Sequence, residues 1–462
     1  MTIWTPILDK NQAKYLALAH AIEVAINNGE LHCDEKLPPQ RRLADALQVT
    51  IGTITRGYSE AERRGLVVAQ VGSGTYVRGK DNVNALAHDM NQDLPGKIDM
   101  RAAFAPEGPQ IKMIADAMVS MATDPHLLSH LLPYAPELGH ANHRSSFQRW
   151  LSSEPLVLDD CNFLITHGGQ HAISVSINAI CREGDSILTE NLVFPGVLAA
   201  AQDKGVKVIS IAMDEEGIIP EKVLQACQRH KPRMIYLTPN SQNPCGTQLS
   251  VERRQVLVDI CREHNVLILE DDVQYIARTD KLVSMQQLAP EQCIYLSSFS
   301  KRFGGAMRIG YLVASVNVFN KIRLSLRASS WTNSPLLIHW LCEWMDNGEL
   351  DRLEKWLQSE MNARQALANQ CLSLWAPYSQ KSSFNLWLVL PQGWLSHEFV
   401  EQAQSKGVLV RSADDYRVGQ QIPLPAVRLC LSRPNTHKEL IEALNILKSI
   451  LEQGPLLKEA LM

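Results

Sequence analysis

Ser298-Phe299-Ser300-Lys301-Arg302-Phe303-Gly304-Gly305-Ala306-Met307-Arg308-Ile309-Gly310-Tyr311 decides how the rest of this chain is read. One apolar run, Cys293 to Leu296, precedes it, and Ile309 to Ala314 forms a second. Short apolar runs of this kind are expected to be buried strands. A lysine between two buried strands is costly unless it is neutral, paired or used covalently. The hydroxyls and Arg308 around Lys301 suit a phosphate dianion. A surface turn with scattered charge is the plain alternative, and this stretch alone does not separate the two.

Three other stretches bear on it. Val266-Leu267-Ile268-Leu269-Glu270-Asp271-Asp272 is an apolar strand with carboxylates at its carboxyl end. Ligands of open α/β sheets bind at that end. A carboxylate there can pair with a pyridine nitrogen or simply cap a helix. Met234 to Leu237 runs into Thr238-Pro239-Asn240-Ser241-Gln242-Asn243-Pro244-Cys245-Gly246. This is a strand followed by a proline-broken loop, in which Asn243 is a candidate donor or a turn former. Phe163-Leu164-Ile165-Thr166-His167-Gly168-Gly169-Gln170 reads as strand, glycine turn and helix start, a place where backbone N–H groups bind phosphate. Phe194 can stack on a ring or be plain core. A lysine beside a phosphate pocket is what pyridoxal 5′-phosphate requires: an amine for the Schiff base and donors for the phosphate.

In this order, each after a strand, the pieces resemble fold-type-I aminotransferases, in the branch near 2-aminoadipate and kynurenine aminotransferases. The resemblance spans roughly residues 98–455, where strands and helices alternate. It implies that Lys301 forms the internal aldimine and that Asp271 pairs with the pyridine nitrogen. It also implies that Asn243 contacts the 3′-oxygen and Phe194 stacks on the ring. Gly169, Gln170, Ser298, Ser300 and Arg308 would hold the phosphate. Tyr134 matches the tyrosine that the family sends to the partner protomer's phosphate, which implies a homodimer. Arg428, in Val427-Arg428-Leu429-Cys430-Leu431-Ser432, matches the arginine that grips a substrate carboxylate, a task suited to a planar bidentate donor. Two positions depart from the pattern. Gln274 stands where the family has a tyrosine, with Tyr275 one step later as the candidate replacement. Cys245 stands for a threonine, a harmless change.

The first eighty residues break the α/β alternation. Ala13 to Asn28 carries a rough apolar face (Leu16, Ala19, Ile22, Val24, Ile26), so a helix is expected. Leu37-Pro38-Pro39-Gln40-Arg41-Arg42-Leu43 opens a second, proline-started helix with Leu43, Ala46 and Leu47 inward. Thr50 to Arg64 gives a third with Ile51, Ile54, Tyr58 and Ala61 inward. Gly65 to Val77 reads as two short strands around Gly72-Ser73-Gly74. Helix, helix-turn-helix and wing form a DNA-binding layout whose third helix enters the major groove. A small helical cap is the bland alternative. Over about residues 10–78 the segment resembles the winged helix of the GntR family of repressors. That resemblance makes Arg41, Thr53, Thr55, Arg56 and the wing residues Gly72, Ser73 and Gly74 the expected DNA contacts, with Arg42 beside them suiting a phosphate or a guanine edge. Such a head on an aminotransferase-like body is the layout of the MocR subfamily of transcription regulators.

The organisation expected is a winged helix over 1–78, a linker over 79–97 with one short helix around Val83–Met90, a large cofactor-binding α/β domain over 98–330, and a small α/β domain over 331–462. Residues 1–80 carry a net charge of +2 and the remainder −6, the sign expected of a DNA-binding end on an acidic body. At 45% apolar the composition is that of a globular chain. No apolar run reaches membrane-spanning length and the first residues lack a signal-peptide pattern. Ten cysteines are dispersed with no Cys-x-x-Cys pair, which suggests reduced thiols in a cytoplasm. Fourteen histidines form no metal-binding spacing, so no metal is expected. The resulting expectation is a regulator that binds double-stranded DNA as a homodimer. It would sense an amine or amino acid when that effector replaces Lys301 in an external aldimine. The alternative is a working aminotransferase for an amino acid/2-oxo acid pair.

Overall fold

The computed structural model describes residues 4–9, 12–28, 30–32, 35–64, 66–70, 74–77, 96–158, 161–419 and 423–455. The chain divides into two units, Met1–Ala87 with Gln420–Ile422, and His88–Gly419 with Pro423–Met462. Apart from Gly96 and Lys97, the expected linker and its short helix lie outside the described residues, as do Gly72 and Ser73.

In the first unit, helices Lys14–Asn27, Gln40–Leu47 and Ile51–Arg63 are followed by an antiparallel pair, Val67–Gln70 with Gly74–Val77. Leu18, Ile22, Leu43, Ile54, Tyr58 and Ala61 are buried together. Ile51 was expected inside and is instead 47% exposed. It is the first helical residue, directly after the cap Thr50, whose Oγ1 accepts from the Thr53 N–H at 3.2 Å. Val24 is likewise exposed. It stands two residues, about 200° of helix, past Ile22. Ala46 faces solvent while Ala44 is buried.

The second unit is built on a seven-stranded sheet ordered Cys161–Thr166, Gly310–Ser315, Cys293–Ser298, Leu267–Asp271, Met234–Leu237, Ser186–Glu190, Lys207–Ile211. Gly310–Ser315 runs antiparallel to both neighbours, and the strands from Cys293–Ser298 onward pair in parallel. Neighbouring residues of one strand feed opposite faces. Leu269 packs with Ala172 and Ile173 of the helix Gly169–Ile180, and Ile268 packs with Leu257 and Val258 of the helix Val251–Glu263. Near-continuous apolar strands follow from burial on both faces. The body is therefore a mixed, mostly parallel α/β sheet covered on both sides. A smaller antiparallel sheet, Asn385–Val389 with Ala426–Cys430 and Arg411–Ser412, packs with the helices Ser396–Ser405 and His437–Gln453. Two helices, Pro335–Asp346 and Glu349–Cys371, precede this sheet in the chain. No helix among the described residues is long and apolar enough to cross a membrane.

Candidate cofactor site and nucleic-acid face

Asp271 ends its strand, and Gly169, Phe194, Asn243 and Lys301 follow theirs, at the carboxyl edge of the large sheet; Arg308 stands just ahead of the antiparallel strand Gly310–Ser315. Asp271 is the last residue of Leu267–Asp271. It is buried, and its Oδ2 accepts from Tyr236 Oη at 2.7 Å while Oδ1 accepts from the Val273 N–H at 2.9 Å. Burial pushes this carboxyl up to about 6 against the pull of the Tyr236 hydrogen bond. Lys301 sits in the single helical turn Ser300–Phe303 after Cys293–Ser298. Its Nζ donates to the Ala103 carbonyl at 2.6 Å. Burial and the positive charge of Arg428 bring its amine down to about 8, so a lysine that is ordinarily a cation gains a sizeable neutral fraction near neutral pH.

Next to these lies an anion cradle. Gly168, at φ +82°, caps the helix Gly169–Ile180. A Cβ there would stand 3.0 Å from the Arg308 guanidinium, so only glycine leaves the approach open. Arg308 donates to the His167 carbonyl at 2.8 Å. Ser298 Oγ donates to the Ile309 carbonyl at 3.1 Å and accepts from the Ser300 N–H at 3.2 Å. Gln170 Nε2 donates to the Gly196 carbonyl at 2.8 Å. A Cβ on Gly196 would collide with both Gln170 Oε1 and the Phe194 ring, so that glycine lets the two side chains meet. Helix N-terminus, guanidinium and hydroxyls are the donor set a phosphate needs. Lysine, buried carboxylate and cradle together fit pyridoxal 5′-phosphate.

Arg428 reaches this site from the small sheet. It donates to Asn243 Oδ1 at 2.8 Å and to the Arg101 carbonyl at 2.6 Å. Asn243 therefore meets Arg428 here, and its backbone N–H donates to Thr238 Oγ1 at 3.3 Å. Arg254, fully buried, fixes the same loop by donating to the carbonyls of Pro239 and Leu249 and to Asn240 Oδ1. Tyr275 is a correction. It does not stand in for the missing tyrosine: its ring packs on Phe384 and its hydroxyl points to the Glu354 carbonyl at 3.5 Å. One residue of extra spacing turns a side chain to the other side of an extended segment. Gln274 is held by Asn385, whose Nδ2 donates to Gln274 Oε1 at 3.0 Å. Tyr134 is 85% exposed on the single chain, and Cys245 is half-buried in its loop.

Sequence reasoning missed Tyr236, Arg101 and the ion network behind the site. Lys281 bridges Asp272 (2.5 Å) and Glu154 (3.5 Å), and Arg302 pairs with Glu354. Asp272 and Arg302 directly follow the candidate residues Asp271 and Lys301, so the network underpins both. Tyr236 had a signal, a lone hydroxyl inside an apolar strand. Arg101, 327 residues from Arg428, had none.

In the first unit Arg41, Arg42, Thr55 and Arg56 are exposed, and Thr53 is half-buried. Thr55 Oγ1 donates to Gln40 Oε1 at 2.7 Å, tying the third helix to the start of the second. Thr53 Oγ1 lies 2.9 Å from Thr50 Oγ1. Gly74 approaches Lys36, whose ammonium lies 5.6 Å from the Tyr76 ring centre.

The model of the aminotransferase class I and II family matches residues 112–444, and that of the gntR family of bacterial regulatory proteins matches residues 14–77. Over 97% of its length the chain is 27% identical to the uncharacterized HTH-type transcriptional regulator YdeF of Bacillus subtilis, itself covered over 97%. It is 27% identical to the 2-aminoadipate transaminase of Thermus thermophilus, over 60% of this chain and 71% of that one. The fold is shared with Pyrococcus horikoshii kynurenine aminotransferase at a TM-score of 0.72 and 19% identity, over 82% of this chain and 95% of that one.

Proposed function

We propose that this chain, which belongs to the aminotransferase class I and II family, is a DNA-binding transcription regulator whose body holds pyridoxal 5′-phosphate on Lys301 and responds to an amine or amino acid. One observation carries the reading. A buried lysine brought down to about 8, on which the charges of Arg428 and Asp271 act, occurs in a chain that also folds a GntR-type winged helix. Near full-length similarity to proteins named as HTH-type transcriptional regulators supports it.

The cofactor, when bound, supplies an electrophilic carbon and an electron-withdrawing ring. The chain's own groups do the rest. Asp271 would hold the pyridine nitrogen. The Gly168–Gly169 helix start, with Gln170, Ser298, Ser300 and Arg308, would hold the phosphate. Phe194 would lie against the ring, and Asn243 would face the 3′-oxygen. Lys301 Nζ would hold the cofactor, and as a free amine it can accept a proton near neutral pH. Arg428 would take a carboxylate. An effector that prefers one arrangement of the body shifts the population of that arrangement, and with it the disposition of the DNA heads. Arg41, Arg42, Thr53, Thr55, Arg56 and the wing would meet DNA. A homodimer, with Tyr134 reaching the partner's phosphate, would read two half-sites. The described cysteines are free thiols, in keeping with a cytoplasmic setting.

A second reading, an active aminotransferase, is favoured by the same amine, whose position near 8 suits proton transfer. The deciding experiment measures the visible absorbance of the purified protein, retention of DNA from beside its own gene, and turnover with amino acid/2-oxo acid pairs. It uses wild type and Lys301→Ala. A band lost in the variant, specific DNA retention and slow turnover support the regulator. A band with rapid turnover and no specific DNA binding overturns it in favour of the enzyme.

A further inference from the structure

A chain of hydrogen bonds runs from the end of the helix Val316–Ser330 to the anion cradle, and it passes through His171 in the first turn of Gly169–Ile180. His171 Nδ1 accepts from the His167 N–H at 3.1 Å, and its Nε2 lies 2.8 Å from Ser329 Oγ. A neutral imidazole carries one proton. Since Nδ1 accepts, that proton sits on Nε2 and is given to Ser329. Ser329 Oγ in turn donates to the Leu326 carbonyl at 2.8 Å. Burial, with His167 and Arg308 nearby, holds the ring down to about 4, so Nδ1 stays bare near neutral pH. Both ring nitrogens are engaged, and His171 has no donor left for a phosphate.

His167 is gripped at both of its backbone groups. Its N–H is held by His171, and its carbonyl accepts from Arg308 Nη2 at 2.8 Å. Arg308 is exposed and holds φ +46°, a left-handed conformation that a residue with a side chain keeps only where its surroundings fix it. A Cβ on Gly310 would stand 2.7 Å from the Gly168 backbone, so the turn has no slack on that side. The direction of the Arg308 guanidinium therefore depends on where the His167 backbone stands, and His171 sets that.

We propose that His171 is a positioning residue for the cofactor's phosphate: by fixing the His167 backbone it aims Arg308 and the helix start, without touching the phosphate itself. This rests on the cofactor-holding reading above and adds a residue to it.

The test uses full-length protein freed of cofactor and two aldehydes, pyridoxal 5′-phosphate and pyridoxal, which differs only in lacking the phosphate. Affinity for each is read from the visible band that forms on titration. His171→Phe keeps a ring and removes both nitrogens. We expect it to weaken pyridoxal 5′-phosphate about 10-fold, as for one lost hydrogen bond to a charged group, and to leave pyridoxal unchanged. His171→Asn should restore most of the preference, because its Oδ1 stands where Nδ1 does. His171→Gln, whose polar end stands nearer Nε2, should not. Equal weakening of both aldehydes overturns the proposal, because the ring then supports the fold as a whole. An unchanged preference in His171→Phe overturns it as well. If His171→Phe does not fold, the Asn and Gln variants decide, and equal preferences in those two overturn it. Wild-type protein that forms no band with pyridoxal 5′-phosphate refutes the underlying cofactor reading instead.

Discussion

Arg428 Nη1 donates to Asn243 Oδ1 at 2.8 Å, across 185 positions of sequence, and so ties the small sheet to the loop after Met234–Leu237. The bond orients the buried guanidinium. Asn243→Ala leaves a buried guanidinium short of an acceptor, and such losses cost about 1–3 kcal/mol. The expected outcome is a lower Tm and slower capture of aminooxyacetate, read by thermal melting and stopped-flow absorbance. Unchanged values of both would refute the orienting role.

The Lys301 amine, brought down to about 8 by burial and by Arg428, becomes neutral at a lower pH than an exposed lysine. Capture of pyridoxal 5′-phosphate by cofactor-free protein should rise with pH and level off just above 8. Arg428→Gln removes the neighbouring charge and should move the midpoint upward. A wild-type rate still climbing at pH 10 would contradict the assignment.

Tyr236 Oη donates to Asp271 Oδ2 at 2.7 Å and opposes the burial that lifts this carboxyl to about 6. In Tyr236→Phe the carboxyl rises further and holds a protonated pyridine nitrogen less well. Cofactor affinity should fall about 10-fold, the worth of a hydrogen bond to a charged group. Equilibrium dialysis of the cofactor checks it.

Burial and the neighbouring imidazoles of His339, His140 and His130 hold His143 down to about 4. Both of its ring nitrogens lack partners, and Glu343 and Asp346 line the same pocket. A histidine with a lowered folded pKa binds protons more readily when unfolded. Its contribution is therefore whole above its ordinary pKa near 6.5 and is lost as pH falls toward 4. Tm should drop across that window, and His143→Leu should flatten the slope. Parallel curves for variant and wild type would exclude His143 as the cause.

In the winged helix, Thr50 and Arg56 separate stability from recognition. Thr50 Oγ1 caps the third helix, so Thr50→Ala should cost about 1 kcal/mol of stability in that unit. Arg56 is exposed. Arg56→Ala should leave the Tm unchanged, weaken DNA binding and reduce the salt slope by about one. Titrations at several salt concentrations distinguish a lost phosphate contact from a residue that never meets DNA.

The sequence by itself determined what local chemistry decides. Apolar runs ending in polar loops placed Asp271, Asn243, Gly168 and Lys301 after strands. Parallel strands buried on both faces then bring such ends to one edge. The recognition-helix face, apart from Ile51, was likewise legible from its period. Tertiary structure alone decided which distant groups meet. Arg101 and Ala103 reach Arg428 and Lys301 through their carbonyls, and a carbonyl carries no residue-type signal. Tyr275 went to the core because its neighbour Phe384, just ahead of the strand Asn385–Val389, comes from more than a hundred residues away. The ion pairs behind Asp271 and Lys301 formed because burial made isolated charges too costly, and that cost exists only once the chain has folded around them.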